Sequence, residues 1–295
     1  MSKNKLTLKN DVVFKELFSK KGNEIFLQDF LSDLLNLNIE KIEIQKDTTL
    51  SKDIITEKYG ILDIKATLND TKIVNIEMQI TNYSNMAERA LYYSSKLISS
   101  QLKTGDDYIK LKPVIVICIL NFKLFPFKEY ITDTVTVSSK HPDYEIIKHQ
   151  KFYFIELPKF RKNKKDLNKK TSQWLTFIDG NDKKGVEDAM SRNCVIKKAK
   201  EEFDYLTGNE RLNRLAELRE KALKDNTSLY NYGIRTGRDQ GIKQGIKQGI
   251  EQGIEQGIVQ ERKRTIKLLV DQNFSNEMII KITNLSKEEI EELKK

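Results

Sequence analysis

The sequence contains few of the residues on which several classes of enzyme depend. It has 2 cysteines and 2 histidines among 295 residues. Cys118 and Cys194 lie far apart and form no Cys-x-x-Cys pair, so the sequence offers no zinc-binding set of cysteine and histidine. Cys118 lies within the apolar run VIVICIL, which is typical of a small buried side chain and not of a nucleophile. Any metal chemistry must therefore use carboxylates.

Long apolar runs are also missing from the sequence. No stretch approaches the roughly 18 apolar residues of a membrane-spanning helix, and the start, MSKNKLTLKN, lacks the apolar core of a signal peptide. We therefore expect a cytoplasmic protein with no membrane partner. The 52 Lys and Arg against 43 Asp and Glu give a net charge of +9. This excess suits a polyanionic partner such as DNA, and a general bias toward lysine accounts for part of it.

Residues 59–80 carry the pattern of a β-hairpin. They read YGILDIKATLNDTKIVNIEMQI, two runs of alternating apolar and polar residues joined by Asn69-Asp70. Such alternation sends every second side chain to the same face of a strand. The polar residues of the two runs therefore face one side of the predicted hairpin.

Four side chains of this hairpin form a candidate site. Asp63 and Lys65 share a face of the first strand, and Glu77 and Gln79 share a face of the second. A carboxylate from each strand then converges on one spot. Hard divalent cations bind to proteins through one or two such carboxylates and keep several waters. The hairpin therefore predicts a Mg²⁺ site, with Mn²⁺ as a possible substitute.

The chain resembles the Rpn family of recombination-promoting nucleases, which belongs to the PD-(D/E)xK superfamily and is associated with transposases. The likeness covers roughly residues 5–160 and lies in LKNDVVFKELF, DIKA, NIEMQ and RALYYSSKLISSQLKTGDDYIKLKPVIVICIL. It implies a Mg²⁺-dependent DNA endonuclease with Asp63 and Glu77 as metal ligands. Gln79 stands where the superfamily usually carries lysine, and this family commonly shows Glu-x-Gln there. Either the glutamine suffices, or Lys65 supplies the positive charge.

Three further residues gain roles from the same resemblance. In the superfamily the first core helix often supplies another acid, so Asp11 is a candidate third ligand. Its alternative role is to cap that helix. Arg89 and Tyr92 lie one turn apart on a predicted helix and could both reach a DNA phosphate. Tyrosines on helices more often pack in the core or at its rim.

The pattern of elements predicts an α/β fold, restriction-endonuclease-like, with a mixed sheet flanked by helices and an all-helical C-terminal region. Residues 11–35 form two helices interrupted at Lys21-Gly22, and residues 159–170 form a basic loop at the substrate groove or a solvated linker. Further elements are a strand near 39–48, a helix over 85–103, a buried strand over 114–120, and strands over 130–137 and 151–157. The predicted divisions are a nuclease-like domain (1–170), a helical region (171–231), a repeat arm (232–263) and a short helical module (264–295).

The segment that we call the glycine-repeat arm, residues 232–263, repeats every four residues. Its glycines occupy positions 233, 237, 241, 245, 249, 253 and 257. In a helix each would cost roughly 1 kcal/mol relative to alanine, about 7 in all, so burial of the neighbouring isoleucines must offset them. We predict an arm through which the chain forms a homo-oligomer. The alternative is a frayed spacer of variable length.

The last residues predict two short helices that begin after Ser275 and Ser286. They are similar to half of a helix-turn-helix. The second is rich in glutamate, which disfavours contact with phosphates, so we expect a terminal packing module.

Three functional hypotheses therefore remain open from the sequence. The first is a Mg²⁺-dependent endonuclease that hydrolyses phosphodiester bonds of DNA. The second is a catalytically weak, DNA-binding relic of a mobile element. The third is an oligomeric scaffold in which the hairpin acids are structural and the arm carries the function.

Overall fold

The structure is a computed structural model that describes residues 6–45, 64–82, 84–163 and 166–293. Its central feature is a six-stranded sheet. The strands of this sheet are β1 (Ile42–Ile44), β2 (Ile64–Leu68), β3 (Lys72–Gln79), β4 (Val114–Leu120), β5 (Ile131–Asp133) and β8 (Gln150–Glu156). A separate two-stranded ribbon consists of β6 (Thr136–Val137) and β7 (Glu145–Ile147).

The strand order of the main sheet is β1-β2-β3-β4-β8-β5. The first three strands form an antiparallel meander, β3, β4 and β8 are parallel, and β5 pairs antiparallel with β8. The sheet is therefore mixed, as predicted. β4 is buried at every position, which agrees with its continuous apolar sequence, because a strand covered on both faces needs no polar alternation.

Helices account for most of the remaining described chain. They are α1 (Asp11–Ser19), α2 (Glu24–Leu34), α3 (Met86–Ser99), α4 (Leu157–Lys162), α5 (Lys170–Asp179), α6 (Lys183–Arg192), α7 (Cys194–Thr207), α8 (Glu210–Asp271), α9 (Asn276–Thr283) and α10 (Lys287–Leu293). The predicted break between the first two helices is confirmed. The predicted basic loop over 159–170 is wrong at its start, because α4 covers residues 157–162. Among the described residues, no helix is both long and apolar enough to cross a membrane.

The described part of the predicted hairpin, β2 and β3, is confirmed. Its turn residues Asn69 and Asp70 have φ angles of 47° and 57°, which asparagine and aspartate tolerate better than most residues. The Asn69 Oδ1 accepts hydrogen bonds from the backbone N–H groups of Glu40 and Lys41 at 2.9 and 3.0 Å. The turn is thereby fixed to the segment that leads into β1. Residues 59–63 of the prediction lie outside the described residues.

The two faces of the sheet pack against different helices. Alternate residues of β3, namely Val74, Ile76 and Met78, lie in the larger core with α1 and α2. On the opposite face, residues of β4 such as Cys118 pack against α3 through Met86 and Ala90. The odd-numbered positions of β3 from 75 onward therefore face α3.

Trp174 of α5 joins the helical region to the larger core. The ring is fully buried, and its centroid lies 5.7, 6.4 and 6.2 Å from those of Phe18, Phe26 and Phe30. Its indole N–H donates to Asp29 at 2.9 Å. The helices after residue 170 therefore complete the core of the sheet domain.

The chain divides into two compact units, Met1–Thr227 and Ser228–Lys295. The second unit has its own small core of Ile266, Ile279, Leu285 and Ile290. At the start of α10 the Ser286 N–H donates to the Glu289 carboxylate at 2.7 Å, and the Glu289 N–H donates to the Ser286 hydroxyl at 3.1 Å. This is a reciprocal capping box, as the sequence predicts.

Candidate active site

The candidate site lies on the face of β3 that packs against α3. Its central residue is Glu77, whose exposed fraction is 2%. Strand alternation places Asn75 and Gln79 on the same face, and Cys118 of β4 lies beside Glu77 in the parallel ladder. A carboxylate is therefore held in the middle of a covered sheet, where an ionised group needs partners.

The carboxylate of Glu77 accepts hydrogen bonds from side chains of β3 and α3. The Gln79 Nε2 lies 2.5 Å from Glu77 Oε1, and the Arg89 Nη2 lies 2.6 Å from the same oxygen. The guanidinium comes from the first turns of α3, which crosses this face of the sheet. The ion pair offsets the burial of the carboxylate, because a charge buried without a partner would cost several kcal/mol.

Cys118 behaves as the sequence predicts. Its side chain is fully buried. Burial raises the pKa of its thiol well above the ordinary value, and the negative charge of Glu77 adds to this rise, while Arg89 partly opposes it. The thiolate is the nucleophilic form of cysteine. The residue therefore serves as a packing group beside the site.

Two buried polar atoms at this site have no hydrogen-bond partner among the described residues. They are the Asn75 Oδ1, an acceptor, and the Arg89 Nε, a donor. Most buried polar groups in folded proteins are satisfied, and the exceptions often mark ion or ligand sites. The face of β3 thus carries both an oxygen and an N–H that a bound group could satisfy.

Lys65 faces the same site from the neighbouring strand. It pairs with Asn75 in the antiparallel ladder, whereas Lys72 pairs with Leu68 at the turn end of the hairpin. Its neighbours Ile64 and Ala66 belong to the larger core on the opposite face. Lys65 therefore lies on the same face of the sheet as Asn75, and its role in the site stays a prediction. Asp63 lies outside the described residues, and its role as a ligand stays a prediction.

Comparison with known proteins identifies the family. A family model described as PD-(D/E)XK nuclease family transposase matches residues 8–233. The chain belongs to this family. The suspected relationship to recombination-promoting nucleases is thereby confirmed, and the mixed sheet flanked by helices agrees with a PD-(D/E)XK nuclease fold. No curated protein and no solved structure gave a match.

Family membership implies a nuclease or transposase type of function, and PD-(D/E)XK nucleases typically use divalent metals. Among residues 6–45, 64–82, 84–163 and 166–293, no group of three or more His, Cys, Asp or Glu is placed to hold a metal. The donors that the described part of the site does offer are oxygens, from the Glu77 carboxylate and the Asn75 amide. This set fits a hard divalent cation better than a soft one.

Asp11 lies on α1, which packs on the other face of the sheet. Its Oδ2 lies 2.7 Å from the Arg219 Nε, and both side chains are buried. Its Oδ1 accepts from the Val12 N–H at 3.0 Å, but the residue that caps α1 is Asn10, which accepts from the N–H groups of Val12 and Val13. Burial raises the pKa of Asp11, and Arg219 opposes that rise. These contacts favour a structural role, and the third-ligand assignment stays a prediction.

The two residues predicted to reach DNA from α3 have different surroundings. Arg89 pairs with Glu77, as described above, so the structure brings it into the site itself. Tyr92 is exposed over 63% of its surface and meets the ring of Tyr93 edge-on at 5.3 Å between centroids. Tyr92 therefore does not pack in the core, and the buried positions of this helix are Met86, Ala90 and Ser94.

A second polar cluster, which the sequence did not predict, lies near the carboxyl end of β3. Arg161 of α4 donates to both carboxylate oxygens of Asp179, with its Nη2 2.6 Å from Oδ1, and to the Asn121 Oδ1 at 2.5 Å. The Asn121 backbone N–H in turn donates to the Gln79 carbonyl at 2.9 Å. The only sequence signal was an arginine shortly after a predicted strand. The cluster anchors the segment that follows β4 beside the site.

Proposed function

We propose that the protein is a divalent-metal-dependent DNA endonuclease of the recombination-promoting type. In this proposal Asp63 and Glu77 hold Mg²⁺, which Mn²⁺ can replace, and Gln79 occupies the position of the motif lysine. Lys65 lies on the same face and supplies a positive charge. Family membership supports the nuclease class, and the geometry of β3 supports the choice of residues.

One observation carries the proposal. A buried carboxylate, Glu77, shares its face of the sheet with Asn75 and pairs with Arg89, and the Asn75 Oδ1 and the Arg89 Nε are buried without hydrogen-bond partners among the described residues. Structural ion pairs usually satisfy all of their donors and acceptors, because each buried unsatisfied group costs about 1–3 kcal/mol. A bound cation and a phosphate oxygen would satisfy the acceptor and the donor respectively.

Each described side chain has a separate role in this proposal. When bound, a divalent cation supplies charge stabilisation at the phosphoryl oxygen and a more acidic water. The Gln79 amide fixes the orientation of the Glu77 carboxylate through the 2.5 Å hydrogen bond. Arg89 balances the buried charge and offers its Nε–H to DNA phosphate, which guanidinium groups bind well. The burial of the face by α3 keeps bulk water from this carboxylate.

Nicking of supercoiled plasmid tests the proposal. Purified full-length protein is assayed with Mg²⁺, with Mn²⁺ and with a chelator, beside the variant Glu77→Gln. This substitution keeps the size of the side chain, and a matched control is Glu43→Gln on the exposed position of β1. We expect metal-dependent nicking by the wild type and by the control, and none by Glu77→Gln.

The other outcomes separate the alternatives. Nicking by wild type and Glu77→Gln alike would come from a contaminant or another site, and would contradict the proposal. DNA binding without nicking by any protein would identify a catalytically weak relic. Neither binding nor nicking would favour the scaffold.

We also propose that the chain forms a homo-oligomer through the glycine-repeat arm. The specific observation is that the arm is helical throughout, within α8, and that its isoleucines are exposed. A helix with so many glycines needs tertiary or quaternary contacts to offset their low helix propensity.

A further inference from the structure

The glycine-repeat arm presents an apolar row to solvent. Five isoleucines spaced four residues apart are exposed over about half of their surface, namely Ile242 (50%), Ile246 (59%), Ile250 (57%), Ile254 (59%) and Ile258 (49%). A Cβ atom added at any of the seven arm glycines would meet nothing within 4 Å. The described chain therefore does not fill the space beside this row, although single exposed isoleucines would need no explanation.

The charges that follow these isoleucines are ordered in two blocks. Lys243 and Lys247 come first, and Glu251 and Glu255 follow. Within one helix, residues four apart are neighbours, so each block places like charges together, which is unfavourable. Only Lys247 and Glu251 form an opposite pair, and their charged atoms lie 4.0 Å apart. An alternating order would suit an isolated helix better.

The helix geometry sorts these residues into a centre and two flanks. Successive residues of an α-helix are rotated by about 100°. With the isoleucine row at the centre, the glycines that precede each isoleucine form one flank and the charged residues that follow form the other. We call these the glycine flank and the charged flank. Any helix that covers the isoleucines must lie against both.

We infer that a second copy of the arm covers this row in the antiparallel direction, about a two-fold axis near Gly249 and Ile250. A two-fold axis perpendicular to the helices brings the charged flank of one copy beside the charged flank of the other. Lys247 then faces Glu251 of the other copy, and Lys243 faces Glu255. The unfavourable order within one helix becomes a complementary order between two.

The parallel arrangement lacks this complementarity. A two-fold axis along the helices would place the charged flank of one copy against the glycine flank of the other. The glycine flank has no charged side chains, so no ion pairs would form. In the antiparallel pair the glycine flanks meet instead, and their lack of side chains lets the two backbones approach closely. The open space at the central glycines is thereby filled.

The contact is a crossing and not a long coiled coil. A four-residue step turns about 400°, so the isoleucine row drifts by about 40° with each repeat. The central isoleucines 246, 250 and 254 stay within about 80° of one another. Rows of this kind pack best when two helices cross at an angle of about 50°. The interface is therefore centred on these three residues and does not depend on the nuclease activity.

Charge reversal in the full-length protein tests the inference. Variant one carries Lys243→Glu and Lys247→Glu, and variant two carries Glu251→Lys and Glu255→Lys. Each makes all four positions alike in charge, so we expect each alone to self-associate at least about tenfold more weakly than wild type in sedimentation at low salt. Mixing the two variants should restore association to about the wild-type level. A matched control, Lys224→Glu with Glu220→Lys, changes charges on α8 outside the arm.

Disulfide formation tests the direction. In a Cys194→Ser background, which leaves only the buried Cys118, we introduce Lys243→Cys or Glu255→Cys. The antiparallel pair predicts cross-links when the two variants are mixed and little when each is oxidised alone. Cross-links when each variant is oxidised alone, with few in the mixture, would overturn the inference. The inference would also be overturned if neither charge reversal changed self-association. A wild type that stays monomeric up to the highest concentration tested would overturn it too.

Discussion

Strand β3 and the glycine-repeat arm use their apolar residues in opposite ways. On β3, Val74, Ile76 and Met78 are buried in the core, and the polar residues between them lie under α3. On the arm, isoleucines at an equally regular spacing are exposed, and a Cβ added at any of the arm glycines would meet nothing within 4 Å apart from its own helix turn. The strand is covered by helices of its own chain, whereas the described chain leaves the isoleucines of the arm exposed.

A repeat of two residues on a strand and a repeat of four residues on a helix need different neighbours to cover their apolar side chains. A period of two matches the geometry of a strand, so helices packed on each side of the sheet cover the two faces of β3 along its length. A period of four exceeds the 3.6 residues of a helical turn, so the row on the arm winds around its helix. A short crossing with a second helix can cover only part of such a row. Variants in the two regions should therefore change different properties.

The largest effect is expected at Asp63. Asp63→Ala should reduce plasmid nicking by at least about a thousandfold, because loss of a metal ligand removes several kcal/mol of transition-state stabilisation. Thermal unfolding should change little. The matched control Asp70→Ala, at the exposed turn of the same hairpin, should keep full activity. Metal-dependent nicking by Asp63→Ala would contradict the ligand assignment.

The next effect concerns the buried pair of Asp11 and Arg219. Asp11→Ala removes the buried ion pair with Arg219, so we expect the free energy of unfolding to fall by about 3 kcal/mol in urea titration. The half-exposed pair of Asp133 and Lys151 supplies the control, since Asp133→Ala should cost less than about 1 kcal/mol.

The same variant decides between the two roles of Asp11. If its role is structural, nicking at a temperature where the variant is folded should stay within about tenfold of wild type. If it is a third metal ligand, nicking should be lost while the protein remains folded. The second outcome would require the contacts of Asp11 to rearrange in the active enzyme.

A third variant changes the arm and leaves the sheet domain untouched. Replacing Gly241, Gly245 and Gly249 together by alanine should raise intrinsic helix stability by roughly 3 kcal/mol, at about 1 kcal/mol for each residue. Within one chain the added methyl groups meet nothing within 4 Å, so helix content measured by circular dichroism should rise. In the antiparallel pair they enter the contact between glycine flanks, so self-association should weaken. A rise in helix content without loss of association would favour the spacer.

The sequence predicted the elements whose patterns are local. The hairpin turn at Asn69-Asp70, the buried strand β4 and the break between α1 and α2 all follow from side-chain spacing and turn chemistry. The burial of α5 did not, because its sequence KTSQWLTFID mixes polar residues among the apolar ones. Its threonine, serine and glutamine are covered because the helix lies between others, a fact that no local pattern reveals.

The candidate site was predictable only in part. Alternation placed Lys65, Glu77 and Gln79 on one face, as the ladder confirms. The contacts of the Glu77 carboxylate with the Arg89 guanidinium and the Gln79 amide were not predicted. The roles of Arg89 and Asn75 depend on how α3 packs across the sheet and on strand register. Both arise from tertiary structure and leave no signal in a short motif.

The smallest expected effect is that of Lys65→Ala on the rate of nicking. It distinguishes the two explanations for the absence of the motif lysine, namely that Gln79 suffices or that Lys65 supplies the charge. Lys65 pairs with Asn75 on the site face of the hairpin, whereas Lys72 lies at its turn end opposite Leu68. If Lys65 supplies the positive charge, Lys65→Ala should slow nicking by about tenfold, or roughly 1.4 kcal/mol, and Lys72→Ala should leave it unchanged. The two lysines lie on the same hairpin and carry the same charge, so a general loss of attraction for DNA would affect both. Measuring single-turnover rates at saturating DNA removes differences in affinity. Equal rates for both variants would show that Gln79 acts without help from Lys65.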